Sequence, residues 1–305
     1  MNVMVLGGAG FIGSHLVERL LAEGHVVDVV DDLSSGSLAN LSEARVVGGE
    51  LKIHTLTATM HEFTELMVLR APEVVYHLGC MPPGVDIAYG AADGVSSTLA
   101  VLEAARRLGD RGGVTPKVVL AVSAVALYGE VASKDLPLKE GVAWSPVGVR
   151  GVVSQAIVEL LGVYREQHDV EFTVLALANV YGPRQRAEAG VVAAFAANMR
   201  DRVSPMLHGD GRQTRDFVFI DDAVDAFVRA AHKGGGLVVN IGTGVATSVR
   251  DLWGMMAGPD GRSASPSPQR VPDVSRSSLS ATRARIHLAW APWTDLAVGL
   301  RSMPR

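Results

Sequence analysis

Gly7, Gly10 and Gly13 stand in the phrase "VMVLGGAGFIGSHLVERLL", between an apolar run and an amphipathic one. Glycines at that spacing permit a tight turn, let the backbone approach a pyrophosphate and let a helix pack close to a strand, with the helix N-terminus facing the negative charge. Phe11 and Ile12 fill the first helical turn among them. Asp31 closes the next apolar run, where a carboxylate accepts hydrogen bonds from adenosine ribose hydroxyls. An acid there repels a 2'-phosphate, and "DDLSSG" sets no arginine beside it. The chemistry points to NADH, with NADPH left open.

Positioning these groups requires strands that end at one edge. "NVMVLG", "VVDVVDD", "EVVYHLG", "KVVLAVSA" and "FTVLALANVYG" are near-continuous apolar runs, and amphipathic segments such as "TLAVLEAARRLG" and "VSQAIVELLGVYREQHD" separate them. Such strands are buried on both faces, which predicts an α/β, Rossmann-type doubly wound parallel sheet. The alternation breaks after "YGPRQ" and resumes at "DDAVDAFVRAAHKG". The expected division is a dinucleotide-binding domain over 1–182 and 215–245, and a smaller, discontinuous substrate lobe over 183–214 and 246–305.

The 305 residues carry a net charge of -4, with 48% hydrophobic residues. No basic surface suits nucleic acid or an anionic membrane. The N-terminus has neither a charged leader nor a long apolar span, so a cytoplasmic protein is expected. Cys80 is the single cysteine, which excludes an internal disulfide and any cysteine-built metal cluster; it reads as a small buried residue. No metal site is expected.

With "GGAGFIGSHLVERLL", "DDLSSG", "VVYHLG", "LYGE", "NVYGPRQ", "GDGRQTRDFVFIDDAVDA" and "NIGTG" in this order, the chain resembles the extended short-chain dehydrogenase/reductases, the family of nucleotide-sugar epimerases and dehydratases. The resemblance spans nearly the whole chain. It implies that Leu78 and Gly79 lie beside the cofactor, that Ser123 ends the strand next to the nicotinamide, and that the 181–185 turn closes over it. It also implies a homodimer formed through the "GVSSTLAVLEAARRLG" and "GVVSQAIVELLGVYREQHD" helices.

The family's proton chemistry comes from a Tyr, a Lys four residues later on the same helix face, and a Ser or Thr on a neighbouring strand end. Laid on "SPVGVRGVV" and "VSAVALYG", those positions hold Val147, Gly151 and Ala124. All three functional groups are absent. Ser123 is adjacent to the vacant hydroxyl position and is a weak catalytic candidate; Arg150 is read as solvent-facing, with a phosphate partner as the other option. Tyr128 reads as packed, Thr55 as the nearest polar group where the family places an adenine-contacting acid, and Gly94 as the replacement of a family Asn.

These residues leave three readings open. In the first, the chain is an NAD(P)H-dependent ketoreductase of antibiotic biosynthesis that acts on a phenolic, polyketide-type ketone. The substrate stabilises its own oxyanion, and a flat ligand fills space opened at Ala124 and Val147. In the second, it is a nucleotide-sugar enzyme with altered chemistry, in which Asn179, Arg215 and Arg270 match substrate-side residues of the family. In the third, it is a non-catalytic NAD-binding sensor or scaffold.

Overall fold

A computed structural model describes residues 1–80, 87–259, 262–268 and 274–303. The apolar runs form six strands in chain order: β1 (Asn2–Leu6), β2 (Val26–Val30), β3 (Leu51–His54), β4 (Val74–His77), β5 (Lys117–Ser123) and β6 (Phe172–Leu177). Together with the edge strand Leu237–Ile241 they make a seven-stranded sheet, ordered β3-β2-β1-β4-β5-β6 and then Leu237–Ile241. Every pairing is parallel, with Val3 opposite both Val27 and Val74. All four residues of β4 and all six of β6 are buried, as strands covered on both faces must be.

The helices Phe11–Ala22 and Ile220–Ala230 cover one face, where Leu16, Leu20, Val224 and Phe227 pack on Val3, Val5, Val27 and Val29. On the other face, the helices His61–Arg70, Ile87–Asp110 and Gly148–His168 contribute Phe63, Met67, Leu102, Ile157 and Leu161 to a second core. A third apolar cluster, with Val192, Phe195, Leu252, Trp253 and Leu300, lies outside the sheet. Ala281, Ala284, Leu288 and Trp290, which the sequence placed in the smaller lobe, instead join the sheet core beside Ile241. The fully buried Trp290 donates its indole N–H to the Asp222 carbonyl at 2.8 Å, anchoring that segment to the sheet-covering helix.

Asp216 fastens the end of the edge strand to the C-terminal segment. Its carboxylate accepts from the Thr243 N–H and hydroxyl, the Gly244 N–H and the Leu279 N–H, at 2.6–3.0 Å. No helix among the described residues is long and apolar enough to cross a membrane.

Candidate active site

Strand order reverses direction between β1 and β4, which leaves a crevice beyond the strand ends. A cavity of about 580 Å³ occupies it. Gly7 starts the turn after β1 at φ +75°, and a Cβ there would stand 3.0 Å from the Gly79 nitrogen. Gly13 sits tighter, since its Cβ would fall 2.1 Å from the Gly7 carbonyl oxygen. Any larger residue would push the first helix away from the turn. Gly10, Phe11 and Ile12 line the cavity with these two glycines, at a helix end whose first amides have no intrahelical acceptor.

Asp31 reaches the same cavity from the end of β2. One carboxylate oxygen accepts from the Ala9 N–H and the other from the Leu33 N–H, both at 2.8 Å, which fixes the group's direction. Burial pushes its pKa up, and these amide hydrogen bonds pull it back. Two backbone donors leave lone pairs on both oxygens for a diol. A turn with no room for side chains, an open helix end and an aimed acid together fit a dinucleotide.

Leu78, Gly79 and Ser123 continue the wall from β4 and β5. The Ser123 hydroxyl oxygen accepts from the Ala126 N–H at 3.4 Å, so its O–H remains a donor. Asn179 and Arg215 stand on the wall beyond β6. The pairing of Asn179–Tyr181 with Phe217–Phe219 brings these two residues together from distant parts of the chain.

The vacant proton positions differ from expectation. Ala124 is fully buried and Gly151 is buried, and neither stands on the cavity wall. Val147 is half-buried, also off the wall, and its N–H donates to the Ala126 carbonyl at 2.8 Å. At Gly151 the Ala126 carbonyl occupies the place of a Cβ, and the buried Ala124 does not reach the cavity, so neither position adds space to it. The helix opens only at Gly148, whose φ is +65°. Arg150, in its first turn, is half-buried and lines the cavity instead of facing solvent, and its burial lowers the guanidinium pKa. Thr55 is exposed and off the wall, and Leu56, Thr57 and Ala58 line it instead. Gly94 is buried in the helix and stands off the wall, while Asp93 beside it lines the cavity. Arg270 lies outside the described residues.

Several wall residues carried no sequence signal of their own. His77 ends β4 with its Nε2 3.0 Å from the Cys80 sulfur and 3.3 Å from the Ser97 hydroxyl. Burial pushes the imidazole down to about 4 and the Cys80 thiol up to about 12, so both are neutral at pH 7. Arg184, in the turn after Tyr181, bridges to the first helix: it donates to Glu18 at 2.8 Å, and to the Ser14 hydroxyl and the Asn40 carbonyl at 3.1 Å. Tyr128 donates to Asn240 at 2.7 Å and is buried away from the cavity.

Residues 3–242 match the NAD dependent epimerase/dehydratase family. The chain is 40% identical to a UDP-glucose 4-epimerase of Mycolicibacterium smegmatis, over 98% of its own length and 96% of that protein's. Its fold superposes on the Thermotoga maritima UDP-glucose 4-epimerase solved with UDP-glucose at a TM-score of 0.91, with 34% identity over 99% of this chain and 97% of that one. The Thermus thermophilus UDP-glucose 4-epimerase solved with NAD gives 0.87 and 29% over 99% and 97% of the two chains. Sequence, fold and the glycine-lined crevice agree, and this chain belongs to the NAD dependent epimerase/dehydratase family.

Proposed function

We propose that this chain is an NAD(H)-dependent oxidoreductase whose second ligand is a nucleoside diphosphate sugar, handled without the family's tyrosine and lysine. The observation that carries this reading is the continuity of one cavity from Asp31, through Gly7 and Ser123, to Asn179 and Arg215. The adenosine end is acidic, with Asp31, Asp32 and Asp93, which disfavours a second phosphorylated adenosine ribose. The far end is basic, and Arg215 is the residue we assign to the diphosphate. NAD supplies or accepts a hydride when bound; the chain's glycines, Asp31 and Ser123 hold and orient it.

The relatives' UDP-sugar names favour this reading over polyketide ketoreduction. The ketoreductase reading keeps one support. The vacated positions Ala124, Val147 and Gly151 supply no side-chain acid, so a ketone bearing its own phenol would be better served than a sugar. We also propose a homodimer packed through the helices Ile87–Asp110 and Gly148–His168. Val149, Val152 and Val163 form one stripe on the second of these and are 44%, 58% and 43% exposed.

The test is calorimetric titration of the purified protein with NAD, NADH, UDP and UDP-glucose, followed by NMR of UDP-sugars and of hydroxylated aromatic ketones incubated with cofactor. UDP binding that Arg215→Ala weakens about tenfold or more, with NAD binding unchanged, is expected. Turnover of an aromatic phenolic ketone without UDP binding would overturn the nucleotide-sugar reading.

A further inference from the structure

The turn between the strand Asn179–Tyr181 and the helix Val191–Arg200 leaves the second-ligand side of the cavity and bonds to the adenosine side. The Pro183 carbonyl accepts from the His15 Nε2 at 3.1 Å. Arg184 donates to Glu18, to the Ser14 hydroxyl and to the Asn40 carbonyl, and Arg186 donates to the Ser35 carbonyl at 3.2 Å. Ser35 and Asn40 belong to the loop after Asp31, and they line the cavity together with Arg184 and Arg186. One wall starts past β6 and the other past β2, with β5, β4 and β1 between them in the sheet. The two walls therefore meet in hydrogen bonds beside the adenosine acid.

Among these contacts the ion pair is the strongest. The two terminal nitrogens of Arg184 each stand 2.8 Å from a different oxygen of Glu18. The two side chains are only 22% and 19% exposed, so water screens them less than it screens a surface pair. Arg184 has a left-handed backbone, with φ +66°, so its bonds hold the turn against a local preference to relax. Arg184 lines the cavity and Glu18 does not. The pair thus clasps the wall from behind, protein to protein.

We propose that Arg184 and Glu18 form a latch on the cofactor end of the cavity: NAD(H) passes when their pair opens and the 183–186 turn lifts from the loop after Asp31. Both residues are then positioning residues that control exchange. Opening lies on the path in and on the path out, so its cost enters both rate constants alike and cancels in the affinity. A residue that holds the cofactor directly acts differently, because its loss speeds departure alone. The proposal rests on NAD(H) occupying this cavity and is independent of the identity of the second ligand.

Stopped-flow NADH fluorescence on the full chain reads association directly and dissociation by displacement with excess NAD, and equilibrium titration gives Kd. Glu18→Ala is the deciding variant, since it removes the partner that stands off the cavity wall. It is expected to raise both rate constants about tenfold, with Kd within about twofold of wild type. Glu18→Gln, which keeps an acceptor without the charge, and Arg184→Lys, which keeps the charge without the fork, should fall between. Near-UV circular dichroism and thermal melts report the folding of each variant, and a misfolded Glu18→Ala passes the decision to Glu18→Gln and Arg184→Lys. Unchanged rates overturn the latch. So does faster dissociation with unchanged association, which would make the pair a support of the bound cofactor. Failure of wild type to bind NADH overturns the NAD(H) reading and the latch together, whereas binding with unaltered rates in the variants overturns the latch alone.

Discussion

A Cβ at Gly151 would lie 2.2 Å from the carbonyl oxygen of Ala126. The same carbonyl accepts from the Val147 N–H at 2.8 Å, so the helix start is locked onto the short helix Ala124–Tyr128 that follows β5, at the place where a proton-transfer apparatus would stand. Restoring it by substitution is therefore more than adding functional groups. Gly151→Lys, alone or with Val147→Tyr, is expected to cost about 1–3 kcal/mol through displaced backbone and to restore no epimerase activity. Urea denaturation and an NMR assay with UDP-glucose check both parts, and a stable, active double variant would contradict them.

Asp31 is held by two backbone amides and lies at the cavity edge. Asp31→Ala should weaken NADH binding about tenfold or more, because the ribose hydroxyls lose a charged acceptor. NADPH should lose less, since removing the acid also removes a repulsion of its 2'-phosphate. Fluorescence titration with both cofactors gives the ratio, and equal losses would remove Asp31 from the ribose.

His77 makes acid stability measurable. Burial depresses its pKa from 6.5 to about 4, so the unfolded chain takes up the proton first as pH falls. The contribution is fully present above about pH 6.5 and is lost on the way down to about pH 4, amounting to about 3 kcal/mol. His77→Gln should flatten the stability profile across that window in urea melts between pH 4 and 7. An unchanged slope would mean that other groups set it.

Val152 is 58% exposed on the valine stripe of the helix Gly148–His168. Val152→Glu should convert the dimer to monomer in sedimentation velocity, with thermal stability lowered at the same time, because a charge buried in an apolar interface lacks a partner. A wild-type monomer at tens of micromolar would refute the dimer.

The sheet was legible because buried parallel strands write themselves as unbroken apolar runs: β4 and β6 are apolar almost throughout and buried throughout. The glycine turn was legible because backbone crowding at Gly13 admits one residue type. Ala124 and Gly151 misled, since a sequence reports a lost side chain but not whether the main chain moves in behind it. Arg150 misled for a related reason. Helical periodicity separates a buried face from an open one, and a face turned to a cavity counts as open. The segment holding Leu288 and Trp290 gave no sign of its sheet contacts, because they come from four scattered residues, Ala281, Ala284, Leu288 and Trp290, too few to make a period.

The parallel sheet also governs when the site comes into being. β1 binds β4 with Val3 opposite Val74, and the edge strand binds β6 with Leu237 opposite Thr173, so none of these pairings can start from a hairpin. Loop closure over such separations precedes any reward, which makes assembly slow and leaves sticky strand edges exposed while it proceeds. The crevice between β1 and β4 exists only after that pairing is made. A nascent chain carries its glycine turn long before it has a pocket, and a dinucleotide that enters the finished crevice draws the folding equilibrium forward by mass action without hastening the search.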